Sequence, residues 1–282
     1  MSQKSRRRFL ALAGAGALAS FLPDAAMPRA RNDPDSHSSP VPFTLGIASY
    51  TFHAFPLDQA IAMTKRLGIK KLALKDVHMP LTSSDDEIRR TVDKMNAEGI
   101  ELSSCGVVYM TNEGEVNNAF RYAKAAGLSC MVGSPNEPLL KLVERMVKQT
   151  GIALAIHNHG PTDKLYPSPE SAYRRIEGMD KRMGLCIDVG HTQRLGLDPA
   201  HEVETFADRL LDVHMKDVSS ADAGGTTVEI GRGVIDIPKL LHTLARIKYS
   251  STIHFEHEKD EKDPLPGLAE SVGYVHGVIA AM

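Results

Sequence analysis

Beyond residue 43 the chain repeats one unit: a short apolar run, a polar loop, an amphipathic segment, then a glycine followed at once by an apolar residue that opens the next run. The joints are Gly68-Ile69, Gly99-Ile100, Gly127-Leu128 and Gly151-Ile152. Glycine adopts the left-handed backbone that closes a helix without steric cost. An Ile or Leu directly behind it suits the start of a strand buried on both faces. Each joint is therefore a helix-to-strand connection, and a chain made of such connections builds parallel strands with crossover helices.

The apolar runs place eight strands at 44–50, 69–75, 101–107, 129–133, 152–157, 184–188, 210–215 and 251–256. Helices are expected at 56–67, 84–98, 114–126, 138–150, 168–178, 201–208 and 236–247, with a less periodic last one at 266–280. Ser84 and Glu87 make a capping box, and Ile88, Val92 and Met95 follow at helical spacing. Leu139, Leu142, Val143 and Met146 repeat that pattern. A doubly wound open sheet would alternate in the same way. Against it, no G-x-G-x-x-G follows the first strand, and polar residues collect after many strands instead of around one switch point. The expectation is an α/β chain with one (β/α)8 TIM barrel domain over 44–282, a length usual for that fold.

Charge and cysteine content narrow the function classes. Residues 1–31 carry six basic side chains against one acidic, which leaves 27 basic and 34 acidic in the remainder, a net charge of −7. That balance opposes phosphate-backbone tracking, so no nucleic-acid partner is expected. No uninterrupted apolar run reaches the roughly 20 residues of a membrane helix, so no membrane partner is expected for the mature body. Cys105, Cys130 and Cys186 are an odd set without Cys-x-x-Cys spacing and read as buried thiols. Nothing in the chain sets the oligomeric state, and a homo-oligomer is compatible with it.

The first residues run Ser5-Arg6-Arg7-Arg8-Phe9-Leu10, then ALAGAGALASFL at 11–22 and an Ala-containing region at 25–30. Paired arginines ahead of a short apolar stretch resemble a twin-arginine export signal, with cleavage expected after Ala26 or Ala30. Residues 1–30 are thus read as an export signal and 31–43 as a polar, Pro-rich lead-in, which makes the barrel periplasmic.

Four strand ends hold groups whose chemistry fits together: His157 in AIHNHG, Asp188 in CIDVGH, His214 in DVHMKD and Glu256 in HFEHE. Imidazole and carboxylate suit Mn, Co, Zn, Fe or Mg, and the C-terminal ends of parallel barrel strands converge on one mouth. One divalent metal ion held by these four residues is the expectation. Placing four such groups in a barrel mouth without a use would incur desolvation at every one.

From about residue 44 to 258 the chain resembles the xylose-isomerase-like barrel superfamily of sugar epimerases and isomerases, inosose dehydratases and apurinic endonucleases. The landmarks are the LAIHNHG stretch at 154–160, Asp188-Val189-Gly190-His191, His214-Met215-Lys216-Asp217, Gly231-Arg232-Gly233 and Glu256. In epimerase-like relatives a Glu, Asp, His, Glu set holds the metal, and the two glutamates exchange protons with the substrate through an enediolate. Asp188, His214 and Glu256 match three of those positions. His157 stands where the first glutamate belongs, which alters the site charge by one unit and removes one carboxylate base. DNA-repair relatives carry an Asp-x-His pair in the loop after strand seven, whereas residues 219–231 here contain no His.

The resemblance implies contacts of His191 and His159 with a carbohydrate-like small-molecule substrate, although either residue could instead order a loop. Lys75 is a candidate base or oxyanion donor beside Asp76, with an ion pair as the alternative, and His78 follows on the same strand end. Lys216 is either a substrate ligand or a solvated loop residue. Tyr50 and Phe52 are either a wall for a sugar ring or core residues. Ala223-Gly224-Gly225 lacks phosphate-loop spacing. The expected chemistry is proton abstraction next to a carbonyl, with catalytic roles for Glu256, His157 and Lys75. Its outcomes are elimination or hydration of a keto-sugar, or isomerisation or epimerisation; a non-catalytic carbohydrate-binding barrel is the alternative of a different class.

Overall fold

The computed structural model describes residues 41–282, so the expected export signal and nearly all of the polar lead-in lie outside the described residues. Strands β1 (Thr44–Ala48), β2 (Lys71–Leu74), β3 (Glu101–Cys105), β4 (Val108–Met110), β5 (Cys130–Pro135), β6 (Ala153–His157), β7 (Met183–Asp188) and β8 (Leu210–Met215) form the barrel wall together with β11 (Thr252–Phe255). Between β8 and β11, the short strands β9 (Asp217–Val218) and β10 (Thr227–Val228) pair as a separate antiparallel hairpin. The expected glycine stretch at 223–225 lies in its turn, where Gly225 N–H donates to the Asp222 carbonyl.

The nine wall strands are all parallel, in the order β3-β2-β1-β11-β8-β7-β6-β5-β4. The two ends of that order are β3, which falls within the strand expected at 101–107, and β4, which lies just beyond it; Gly106-Val107 separates them. β3 pairs with β2 and β4 with β5, so the ring is an eight-stranded TIM barrel whose third strand is split.

Helices α1 (Leu57–Arg66), α2 (Asp85–Ala97), α3 (Glu113–Ala125), α4 (Leu140–Thr150), α5 (Pro169–Ile176), α7 (Pro199–Thr205), α8 (Ile237–Arg246) and α9 (Leu265–Ala280) follow the strands as the periodicity predicts. One short helix, α6 (Val189–Gln193), was not legible from periodicity. The capping box is present: Glu87 N–H donates to Ser84 Oγ, and Ser84 N–H donates to Glu87 Oε2 at 2.8 Å. Gly68, Gly99, Gly127 and Gly151 all have φ between 69° and 77°. A Cβ at any of them would meet nothing within 4 Å, so backbone conformation alone calls for glycine there.

Strand side chains alternate between two cores. Ile47, Leu72, Met131, Leu154, Leu185, Val213 and Ile253 point outward into the large apolar layer shared with Ile61, Ile88, Val143 and Leu241 of the helices. The alternate residues Val132, Ala155 and Cys186 form a small separate apolar cluster inside the ring. The three cysteines are free thiols, and burial pushes Cys105 up to about 12.

Candidate metal centre

His157 is the last residue of β6, Asp188 the last of β7, His214 the penultimate residue of β8, and Glu256 follows β11 directly. These four strands are neighbours in the ring, and Asp188 and His214 are register partners. One donor atom from each residue lies within 4.8 Å of all the others, and all four residues are buried. His157 Nε2 stands 3.2 Å from His214 Nδ1 and 3.5 Å from Asp188 Oδ2. His214 Nδ1 is 3.3 Å from Glu256 Oε2.

Local hydrogen bonds set these positions. Asp188 caps α6, its Oδ1 accepting from His191 N–H at 2.7 Å, which turns the chain at the strand end and leaves Oδ2 facing the cluster. Asn158 ties β6 to β7 by accepting from Asp188 N–H at 3.0 Å and donating to Thr192 Oγ1 at 3.2 Å. Asp217 accepts from the amides of Gly231, Gly233 and Ile235, which accounts for the Gly-Arg-Gly landmark as a loop folded around a buried carboxylate.

Lys216 is the second cation-bearing feature of the site. Its ammonium is buried 3.0 Å from Asp188 Oδ2 and 2.8 Å from Glu256 Oε2, and it donates to Glu258. A Cβ on Gly190 would come within 2.4 Å of Lys216 Cγ, so the glycine of the DVGH motif admits the lysine stem. Lys216 is buried, so its reading as a solvated loop residue does not hold.

The charge pattern follows from this crowding. Burial pushes His157 down to about 3, so this imidazole is neutral. Burial also opposes protonation of His214, but Glu256, Asp212 and Asp188 outweigh it and push that residue up to about 9. Burial disfavours charge on Lys216, Asp188 and Glu256 too. Mutual attraction wins at each, holding the lysine well above its ordinary value and the carboxyls below theirs. Asp188 Oδ2 is buried and meets Lys216 as an ion pair without accepting a hydrogen bond. Two imidazoles and two carboxylates with donor atoms within one small volume fit a divalent cation.

A cavity of about 370 Å³ opens above the cluster, lined by Tyr50, Lys75, Tyr109, His157, His159, His191, Glu256 and Glu258 among others. That volume suits a small ligand. Lys75 Nζ donates to the Val107 carbonyl at 2.9 Å, with Asp76 Oδ1 at 3.5 Å and the Tyr109 ring centroid at 5.4 Å. His159 stacks on Tyr109, its Nε2 3.1 Å from the phenol oxygen, and lies 4.5 Å from His157 between ring centroids. His191 Nδ1 is buried without a hydrogen-bond partner. Tyr50, stacked on His53, forms part of the cavity wall. A larger open depression of about 670 Å³ lies beside Glu229, Asp260 and Glu270, and none of the cluster residues lines it.

Two expected substrate contacts are corrected. His78 spends both ring nitrogens on structure, Nδ1 at 2.9 Å from Ser49 Oγ and Nε2 at 3.0 Å from the Phe55 carbonyl, and does not line the cavity. Phe52 is wholly buried in the apolar layer between sheet and helices. The cavity lining also includes residues that sequence reasoning missed, Tyr109 and Glu258 among them. Tyr109 lies past the break in the third strand, which a continuous strand over 101–107 concealed. Glu258 was signalled by spacing alone, two residues beyond Glu256.

The structure is a parallel barrel with a His, Asp, His, Glu cluster at the C-terminal ends of its strands that could hold a metal ion. The chain belongs to the xylose isomerase-like TIM barrel family, whose model matches residues 62–276. It is 30% identical over 151 residues to the rhizopine catabolism protein MocC of Rhizobium meliloti, covering 48% of this chain and 46% of that protein. The chain thus matches about half the length of that curated relative. A crystal structure of the IolI protein with a bound zinc atom superposes with a TM-score of 0.71 at 15% identity, over 85% of this chain and 99% of that one. The structure of an L-ribulose 3-epimerase gives a TM-score of 0.69 at 15% identity, over 85% and 95%.

Proposed function

We propose that His157, Asp188, His214 and Glu256 hold one divalent ion, and that the protein abstracts a proton next to the carbonyl of a sugar or keto-sugar bound in the cavity. The observation that carries this reading is that Glu256 and His157 belong both to the donor cluster and to the cavity lining. The bound ion would supply Lewis-acid polarisation of the carbonyl oxygen.

Glu256 is the proton acceptor. It is a carboxylate kept ionised by Lys216 and His214, and it lines the cavity above the cluster. Lys216 orients Glu256 and donates to negative charge developing beside it. His159, His191 and Lys75 supply polar contacts to hydroxyls, and the rings of Tyr50 and Tyr109 give apolar faces for the C–H side of a sugar.

With His157 in the place of a second ligand carboxylate, the proton leaves toward Glu256, and the electron pair left on carbon expels a β-substituent. The preferred outcome is therefore elimination, or hydration in reverse. Isomerisation or epimerisation is the second reading. It is favoured by the likeness to an epimerase and by His159 and Lys75, which line the same cavity and could return a proton to the other face. The paired arginines of residues 6–7 support periplasmic export through the twin-arginine route.

Glu256→Gln keeps size and one oxygen while removing basicity, and should lower turnover of keto-sugars by at least about 10²-fold. Solvent-deuterium exchange into bound substrate should be lost with it. Metal occupancy and ligand binding are measured on the same preparation. A fully metallated variant with near-normal exchange would remove Glu256 from the role, and wild-type binding without any exchange or conversion would favour a carbohydrate-binding barrel.

A further inference from the structure

One step below the metal cluster, the barrel interior holds a second polar layer that the proposed chemistry does not use. Asp212 lies two residues before His214 on β8, and His254 two residues before Glu256 on β11, so alternation directs both into the ring beneath the ligands. His254 Nδ1 is 2.8 Å from Asp212 Oδ1, and His254 Nε2 is 2.8 Å from Ser103 Oγ on β3. Asp212 accepts from Nδ1–H, and the Ser103 hydroxyl then donates to Nε2. A carboxylate oxygen of Asp212, a nitrogen of His254 and a nitrogen of His214 lie within 4.8 Å of one another. His254 and His214 are register partners with ring centroids 6.1 Å apart.

This layer carries a desolvation cost that an apolar filling would avoid. Interiors of such barrels are filled mainly by branched apolar residues, and the facing side here is Val132, Ala155 and Cys186. Asp212 and His254 are fully enclosed, and burying such groups is unfavourable unless each is paired. The backbone opposite makes room for them. Gly46 is the register partner of His254, and a Cβ there would lie 2.8 Å from the imidazole. His214 uses Nδ1 toward His157 and Glu256, which leaves its other ring nitrogen for the layer below.

We propose that Ser103, His254 and Asp212 form a brace along the barrel interior that holds the His214 imidazole in the tautomer and orientation required of a metal ligand, with Asp212 as a positioning residue. Asp212, with one oxygen fixed by His254, presents its remaining acceptor capacity to the His214 N–H and keeps the Nδ1 lone pair directed at the cluster. Outer partners of ligating histidines commonly account for 10–100-fold in metal affinity. The inference rests on the four-residue metal site proposed above, and its test separates the two.

Metal-stripped protein is titrated with Co²⁺ and followed by visible absorption, with circular dichroism confirming the fold of each variant. Asp212→Asn should weaken Co²⁺ binding by about 10–100-fold and change the ligand-field spectrum. Ser103→Ala, which removes the far anchor with little risk to folding, should shift both in the same direction by less. Val132→Ala, in the same interior layer and without a donor atom, should leave both unchanged. In a His214→Ala background, Asp212→Asn should add no further loss. The brace is overturned if Asp212→Asn and Ser103→Ala keep wild-type affinity and spectrum, or if Asp212→Asn costs as much without His214 as with it. Wild-type protein that binds no Co²⁺ would overturn the metal site itself and the brace with it.

Discussion

Lys216→Met removes one positive charge from among the buried carboxylates of the cluster. The ammonium lies 3.0 Å from Asp188 and 2.8 Å from Glu256, and it also pairs with Glu258. Taking away one partner of a buried ion pair typically costs about 3–5 kcal/mol, because the other charge stays buried. For a domain of this size about 1 kcal/mol corresponds to roughly 2–4 °C, so apo Lys216→Met should melt about 6–20 °C below the apo wild type. A divalent ion replaces the missing charge beside both carboxylates, and saturation at about 100 times Kd alone returns about 2.7 kcal/mol. The variant should therefore regain more Tm than wild type on adding Mn²⁺ or Zn²⁺, and bind the ion more tightly. Differential scanning calorimetry with and without metal measures both quantities. An apo variant that melts with the wild type, or gains no more from metal, would refute the account of Lys216 as the cation the cluster depends on.

Asp188→Ala and His214→Ala should each lower metal occupancy greatly, since a lost ligand also frees the geometry of the rest, and full occupancy in both by elemental analysis would exclude the site. The pH dependence of apo stability has a definite sign. Burial lowers His157, to about 3, and also His78, His159 and His257, so their contribution is complete above the unfolded value near 6.5 and is lost as pH falls below it. His214, pushed up to about 9, contributes fully below 6.5 and loses that contribution as pH rises through 9. Urea midpoints of the apo protein should accordingly fall from pH 7 to pH 5, with a smaller fall in His78→Gln; a midpoint that rises over that range would contradict the assignment. Replacing Arg6 and Arg7 together by Lys should hold precursor in the cytoplasm, and fractionation showing unchanged periplasmic delivery would sink the export proposal.

Local physics made much of this protein legible from its residues. The Gly-Ile and Gly-Leu joints announce helix ends because left-handed closure depends on the glycine itself, and Ser84 with Glu87 announces a helix start for the same local reason. The alternation of apolar runs with amphipathic segments implied parallel strands, and strand-end position brought His157, Asp188, His214 and Glu256 under suspicion together. Tertiary structure decided what depends on partners far along the chain. The third strand is interrupted at Gly106-Val107, its first part pairing with β2 and its second with β5, and Tyr109 beyond the interruption lines the cavity. His78 turns to Ser49 and Phe55, and Phe52 turns to the outer core, although neither choice is written in their immediate neighbours. Lys216 in a polar loop-like stretch looked free to be solvated, yet the ring closes three carboxylates around it. Asp212, His254 and Ser103 come from strands 42 and 151 residues apart in sequence, and only the closed barrel gives their polar groups a common interior in which they must satisfy one another.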